Sequence, residues 1–265
     1  MTHDEISGKF NEGSALARKG DWDQAATLYE ACLQAAQGPA SPFNGDNLAQ
    51  FVRSSAINLS QLRVRQRHFT AALDLVSLAL KNRPTAYGTA LALATQGAAL
   101  CGAGNLAEGL PVITQALQAQ PIHGALTAAD LIIDLVDPVA PVICIPLSAI
   151  PYPVSVSTVV PDFSVRTSGL PGGVDLLAYA EQLVLGVMEQ SRDREVLGDA
   201  YEHLGRIKKK YGSKEEAREL FQKAREIGST SGDPDRHLAD LDREAEPRAG
   251  HKRGLWSRLF GSWSR

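Results

Sequence analysis

Asp130, Asp134 and Asp137 stand at i, i+4 and i+7, so on a helix they share one face. Clustered carboxylates can hold a cation, but no His or Glu completes the shell, and calcium takes about six to eight oxygens from a recognisable loop. The spacing therefore reads as a solvated acidic face. The histidines at positions 3, 68, 123, 203, 237 and 251 are scattered, and none sits in a metal or nucleophile motif. Cys32, Cys101 and Cys144 are odd in number and far apart. That argues against a disulfide framework or a zinc site and for reduced thiols, the first two at small-residue positions on helical faces. Gly97, Gly102 and Gly104 belong to a helix and its turn, without the preceding strand that a nucleotide loop requires. Lys208, Lys209 and Lys210 beside Tyr211 lie among Glu and Asp, which makes them a solvated face and not a phosphate or nucleic-acid site. The expectation is a chain that is not an enzyme and uses no cofactor or metal.

The elements that carry these residues follow from Ala15 to Leu33, ALARKGDWDQAATLYEACL. Phe10, Gly13, Leu16 and Ala17 precede a Gly20-Asp21 break at helical spacing. Trp22, Ala25, Ala26, Tyr29, Cys32 and Leu33 form a second stripe after it, alternating large and small as packed helices need. One hairpin cannot bury both its faces, so copies are expected. Phe69, Ala72, Leu73, Val76, Ala79, Leu80 and Pro84 repeat the spacing. Gly97, Gly104, Leu106, Gly109, Leu110, Ile113, Ala116, Leu117 and Pro121 repeat it again. Tyr201, Leu204, Gly205, Gly212, Ala217, Leu220, Phe221 and Ala224 give a fourth copy.

This combination resembles the tetratricopeptide repeat, whose small residue in the first helix, Gly-Asp-aromatic turn, Ala in the second helix and closing Pro recur within about 34 residues. The resemblance covers roughly half the chain. Arg67 replaces the usual turn glycine in the second copy; Lys214 replaces the turn aromatic in the fourth, which has no closing proline. The implied fold is all-α, a tetratricopeptide-like helical hairpin solenoid interrupted by a Pro-rich extended segment. Its concave face would be lined by Phe10, Ser14, Ala17, Ile57, Gln61, Val64, Arg65, Ala94, Ala98 and Cys101, a small, fairly apolar and modestly basic groove. Co-chaperones of this class grip a C-terminal carboxylate with Lys, Asn and Arg side chains. The matching positions here hold Phe10, Ser14, Asn58, Leu91 and Thr95, and only Asn58 agrees. Without the cations a buried carboxylate would go unpaired, so an apolar or amphipathic segment suits the groove better.

Composition agrees with a helical array: 44% hydrophobic, 6% aromatic and a formal net charge of -3, which offers nothing to nucleic acid. MTHDEISGKFNEG lacks the basic start and apolar core of a secretory signal, and a cytoplasmic compartment is expected.

Four regions follow in order. Residues 1–137 hold about three repeats, with Gly38 to Asp46 as a long loop, Asn47 to Arg67 as a long helix, and a helix from Ala128 to Val136 capped by Thr127. Residues 138–173 are proline-rich yet too apolar for disorder, which predicts an extended strap, with Val154 to Val160 as an edge strand or hairpin arm. Residues 174–244 contain an apolar-faced helix from Val174 to Gln190, which could pair with Ala128 to Val136, then the fourth repeat and a capping helix from Pro234 to Glu244. Residues 245–265 form a basic aromatic tail in which Lys252, Arg253, Leu255, Trp256, Arg258, Leu259, Phe260 and Trp263 could make contacts. A free tail, a protein-docking peptide and an anionic membrane contact, peripheral to the cytoplasmic compartment, all fit it. The function implied is a non-enzymatic protein-protein interaction scaffold that binds a protein or peptide segment in its groove. A peripheral membrane adaptor held by the tail and a peptide-sensing regulatory protein are the alternatives.

Overall fold

The computed structural model describes residues 1–82, 85–136, 142–143, 174–230 and 233–245, with the backbone alone at 142, 143 and 174. Thr2 opens the first helix with a capping box: its hydroxyl accepts from the Glu5 N–H, while the Glu5 carboxylate accepts from Thr2 N at 2.7 Å. Eleven helices follow among the described residues. They are α1 (His3–Arg18), α2 (Trp22–Gln37), α3 (Gly45–Arg65), α4 (Phe69–Lys81), α5 (Ala86–Gly102), α6 (Leu106–Ala119), α7 (Pro121–Leu135), α8 (Leu176–Gln190), α9 (Arg194–Lys210), α10 (Lys214–Ile227) and α11 (Pro234–Ala245).

Consecutive helices pair as five antiparallel hairpins with α11 as a cap, and the inner helices α3, α5, α7 and α9 also pack on one another in order. One frame builds four of the hairpins. A small residue in the first helix stands sixteen positions before a larger one: Gly13 meets Tyr29, Gly97 meets Ile113 and Gly205 meets Phe221, and buried Ser60 and Val76 hold the same positions in the second hairpin. Seven positions after the small residue the backbone turns left-handed, at Gly20 (φ 81°), Arg67 (φ 61°), Gly104 (φ 87°) and Gly212 (φ 85°). Arg67 adopts this conformation without glycine's freedom, and its guanidinium donates to the Leu135 carbonyl at 3.1 Å.

The fifth hairpin is α7 with α8, the pairing expected across the proline-rich segment. Asp175 caps α8, accepting from the Leu177 and Ala178 N–H groups at 2.9 and 3.0 Å. Val142–Ile143 (β1) and Val174–Asp175 (β2) form a two-residue antiparallel bridge, with Val142 opposite Asp175 and Ile143 opposite Val174. The rest of the expected strap, including Val154 to Val160, lies outside the described residues, as do Asp137, Cys144 and all of the expected 245–265 tail except Ala245, which ends α11. The apolar core runs through α5, α6, α7, α8 and α9 without a break at the interruption; Ile113, Ile132, Ile133, Leu176, Leu177, Val184 and Ile207 are all fully buried there.

Two helix starts differ from expectation. α7 begins at Pro121, not at a Thr127 cap, because proline suits the first helical position, where no N–H is needed; Thr127 falls in mid-helix. α3 begins at Gly45, two residues before Asn47, with Phe43 stacked on Phe51 at 4.4 Å to fix the entering chain. No described helix is long and apolar enough to cross a membrane.

The inner helix α5 is the smallest in side-chain volume, with Gly88, Ala90, Ala92, Ala94, Gly97, Ala98 and Ala99 all buried. Its contact with α6 is backbone on backbone: a Cβ on Gly97 would lie 2.4 Å from Ile113 Cγ1 and 2.8 Å from the Gly109 carbonyl oxygen. Gly97→Ala therefore overpacks the crossing, an effect of about 1–3 kcal/mol that outweighs the helix propensity gained. Urea unfolding should show a net loss of up to about 2 kcal/mol at unchanged slope. Gly8→Ala, where nothing lies within 4 Å, should instead gain up to about 1 kcal/mol.

Candidate functional site

Each inner helix sends one stripe of side chains into a common cavity of about 560 Å³. Ser14, Ala17 and Arg18 come from α1, Asn58, Gln61, Leu62 and Arg65 from α3, and Tyr87 and Leu91 from α5. α7 contributes His123, Leu126, Thr127 and Asp130, and α9 contributes Asp199 and His203. Trp22 and Tyr29 of α2 and Thr230 of the turn after α10 complete the wall. The spacings of three or four within each set are those of one helical face. First and last hairpins both reach this cavity because the array curls until its ends meet, where Arg236 of α11 donates to the Lys19 carbonyl.

Of the groove residues expected from sequence, Ser14, Ala17, Gln61 and Arg65 line the cavity. Phe10 instead packs edge-on against Tyr29 at 5.2 Å and against Phe51 at 5.5 Å. Ile57, Val64, Ala94, Ala98 and Cys101 are corrections: all five are buried in the core, none more than 4% exposed. On α3 the assignment is one residue out of phase at both positions. On α5 it is about two turns too late, because the cavity crosses only the beginning of that helix. Burial pushes the Cys101 thiol up to about 12, as it must for a sulfur packed beneath Gly109. Ser14, Asn58 and Leu91 of the carboxylate-clamp positions reach the cavity, whereas Thr95 is buried and donates to the Leu91 carbonyl at 2.7 Å.

The wall is also more polar than an apolar groove. Asn58 Nδ2 donates to the Tyr29 hydroxyl at 3.2 Å, Tyr29 lies 2.8 Å from Ser14 Oγ, and Ser14 Oγ donates to the Phe10 carbonyl at 3.1 Å. Burial raises the Tyr29 pKa despite these bonds. Tyr87 is 49% exposed at the rim, its ring edge-on to His123 at 4.9 Å.

At the edge of the cavity lies a cluster of four charged side chains. Arg65 Nε donates to Asp134 Oδ2 at 2.8 Å, and its Nη2 donates to Asp130 Oδ2. Arg206 Nη1 donates to Asp130 Oδ1 at 2.6 Å, and its Nη2 donates to Asp134 Oδ1 at 2.5 Å. Both carboxylates thus receive both guanidiniums, in a closed ring joining α3, α7 and α9. Asp130 and Asp134 were expected on a solvated acidic face. Their side chains are 25% and 16% exposed, and the cations come from between 65 and 76 positions away along the chain. Burial alone would raise the Asp130 pKa, but Arg65 and Arg206 overcome it and hold the carboxyl well below its usual range. The lysines of α9 are likewise partnered: Lys208 with Glu181 at 2.8 Å, Lys209 with Glu244 at 3.0 Å, and Lys210 with the Val136 carbonyl at 2.8 Å. No group of three or more His, Cys, Asp or Glu side chains among the described residues could hold a metal ion.

No family model matches this chain, and no curated protein matches it. Among solved structures the chain is similar to YrrB, a TPR protein with an unusual peptide-binding site, at 14% identity and a TM-score of 0.35 over 89% of this chain and 90% of that one. That likeness is too slight to bear on the site; the hairpin architecture rests on the packing described above.

Removing one cation leaves two mostly buried carboxylates sharing the other. Arg206→Met should cost about 3–5 kcal/mol in denaturant unfolding at pH 7. The folded Asp130 pKa is depressed below its unfolded value, so the stability it contributes is present above about pH 4 and is lost as pH falls through the folded value. The gap between wild type and Arg206→Met should accordingly narrow below about pH 4.

Proposed function

We propose that this chain is a non-enzymatic scaffold that takes a short protein or peptide segment into the cavity lined by its inner helices. The observation that carries the reading is the convergence of one stripe from each of α1, α3, α5, α7 and α9 on a single cavity of about 560 Å³. A volume of that order falls in the range of ligand sites, and the lining has the mixture such sites use. Trp22, Leu91, Leu126, Tyr87 and His123 offer rings and apolar surface, while Asn58 and Gln61, one turn apart on α3, present amides that both donate and accept. A peptide main chain needs that pairing of donor and acceptor at every residue. Arg65 and Asp130 spend their charge on one another, so neither is left to demand a counterion from the ligand. Catalysis finds little support in the same wall, because the Ser14 and Tyr29 hydroxyls are engaged with each other and with the Phe10 carbonyl and not aimed at a base.

The test is selection of displayed random twelve-residue peptides on the full chain. The reading expects enriched sequences whose affinity falls about tenfold or more on Gln61→Trp, which fills the cavity without touching the core. The melting temperature of the variant should stay near that of the wild type. Absence of enrichment, or enriched peptides indifferent to Gln61→Trp, would overturn it.

A further inference from the structure

We infer that the segment this cavity takes is the chain's own C-terminal stretch, Leu255 to Trp263, folded back from the end of α11. The inference rests on the peptide reading above and names its ligand.

The chemistry of that stretch suits the cavity better than it suits water. Leu255, Trp256, Leu259, Phe260 and Trp263 fall at helical spacing, and two of the chain's three tryptophans are among them. So dense a set of large apolar side chains is costly to leave exposed and marks a binding element. Among the described residues, the large hydrophobic side chains left exposed are Met1, Tyr87 and Tyr211, and of these Tyr87 alone lines the cavity. In the same wall Trp22, Leu91 and Leu126 offer a ring and apolar surface, and Asn58 and Gln61 offer the amides that a main chain needs.

Length and charge bring the two together. α11 spans 12 residues, about 18 Å, and begins shortly after Thr230 of the cavity wall. Its far end is tied to the last hairpin by Glu244, which meets Lys209 at 3.0 Å and Lys214 at 2.9 Å. Trp256 follows Ala245 by eleven positions, a reach of about 36 Å at full extension, so the chain can turn back along α11 to the cavity. Five Arg and Lys side chains against one Glu give residues 246–265 a formal charge of +4 in a chain of -3, which leaves -7 for the remainder. The wall itself is balanced in formal charge, Arg18 and Arg65 against Asp130 and Asp199, so the attraction comes from the array as a whole. A segment attached through a short linker acts at an effective concentration of order 1 mM, so even a weak intrinsic affinity keeps it seated.

The test titrates a labelled peptide of residues 246–265 against two full-length chains, the wild type and a tail variant carrying Trp256→Ser, Leu259→Ser and Phe260→Ser. These substitutions touch no residue of the hairpins. The peptide should bind the tail variant about tenfold or more tightly than the wild type, whose own tail competes. Adding Gln61→Trp to the tail variant should weaken that binding about tenfold or more. Peptides from the selection above should share the preference for the tail variant. Equal affinity for the two chains, or affinity for the tail variant indifferent to Gln61→Trp, would overturn the inference. So would dimers of the wild type, seen by light scattering, that the tail variant does not form, because the tail would then fill a second copy's cavity. Selected peptides that depend on Gln61 while the 246–265 peptide binds neither chain would overturn this ligand and leave the peptide reading standing. If neither kind of peptide depends on Gln61, both readings fall.

Discussion

How closely α3 and α7 can approach one another across α5 decides the geometry of the concave side. The two helices touch although a whole hairpin separates them in sequence, and they do so because α5 fills its interior face with alanine and glycine. That approach brings Arg65 to Asp130 and Asp134, while α9 supplies Arg206 from the other side. Packing and electrostatics check each other here. A buried ion pair adds little net stability, but one partner displaced by a few ångströms leaves a desolvated charge. Larger side chains at Ala94 or Ala98 would spread the inner helices, and the ring would register the error at once. Curvature is set by volume, and the charges penalise departures from it.

Much of the hairpin frame can be read from the chain itself. Small and large residues at fixed separation, a turn residue at a fixed offset and two unpartnered apolar helices either side of the interruption determine the five-hairpin order. Even Arg67, the apparent exception, keeps the left-handed turn. The direction each inner helix faces is less legible. An inner helix has a neighbour on both sides and a partner behind, so its apolar residues run most of the way around. Nothing local then separates Ala94, Ala98 and Cys101, which are core, from Tyr87 and Leu91, which reach the cavity. For Asp130 and Asp134 a local sign did exist: the intervening Leu131, Ile132 and Ile133 are all fully buried, so no side of that turn is simply wet. Their partners are far away in sequence, and that distance hid the ring.

The meeting of Arg236 with the Lys19 carbonyl gives the cavity walls drawn from both ends of the chain. α1 contributes Arg18, with no carboxylate partner among the described residues, whereas α9 contributes Asp199. A cavity built between the first and last hairpins thus draws its charged side chains from both ends of the chain. The fold positions these charges without any loop dedicated to the task.

The two-residue bridge between Val142–Ile143 and Val174–Asp175 has a consequence for how such a chain can change over time. It brings the start and finish of the interruption side by side at the tip of the α7 and α8 hairpin. The entropic cost of closing a loop rises only as the logarithm of its length, so once the ends are held together, added residues cost the array little. Most connections in a stacked helical array are too short and too tightly packed to admit new sequence. This one is a graft point, where the chain can lengthen, shorten or exchange material while the five hairpins keep their register.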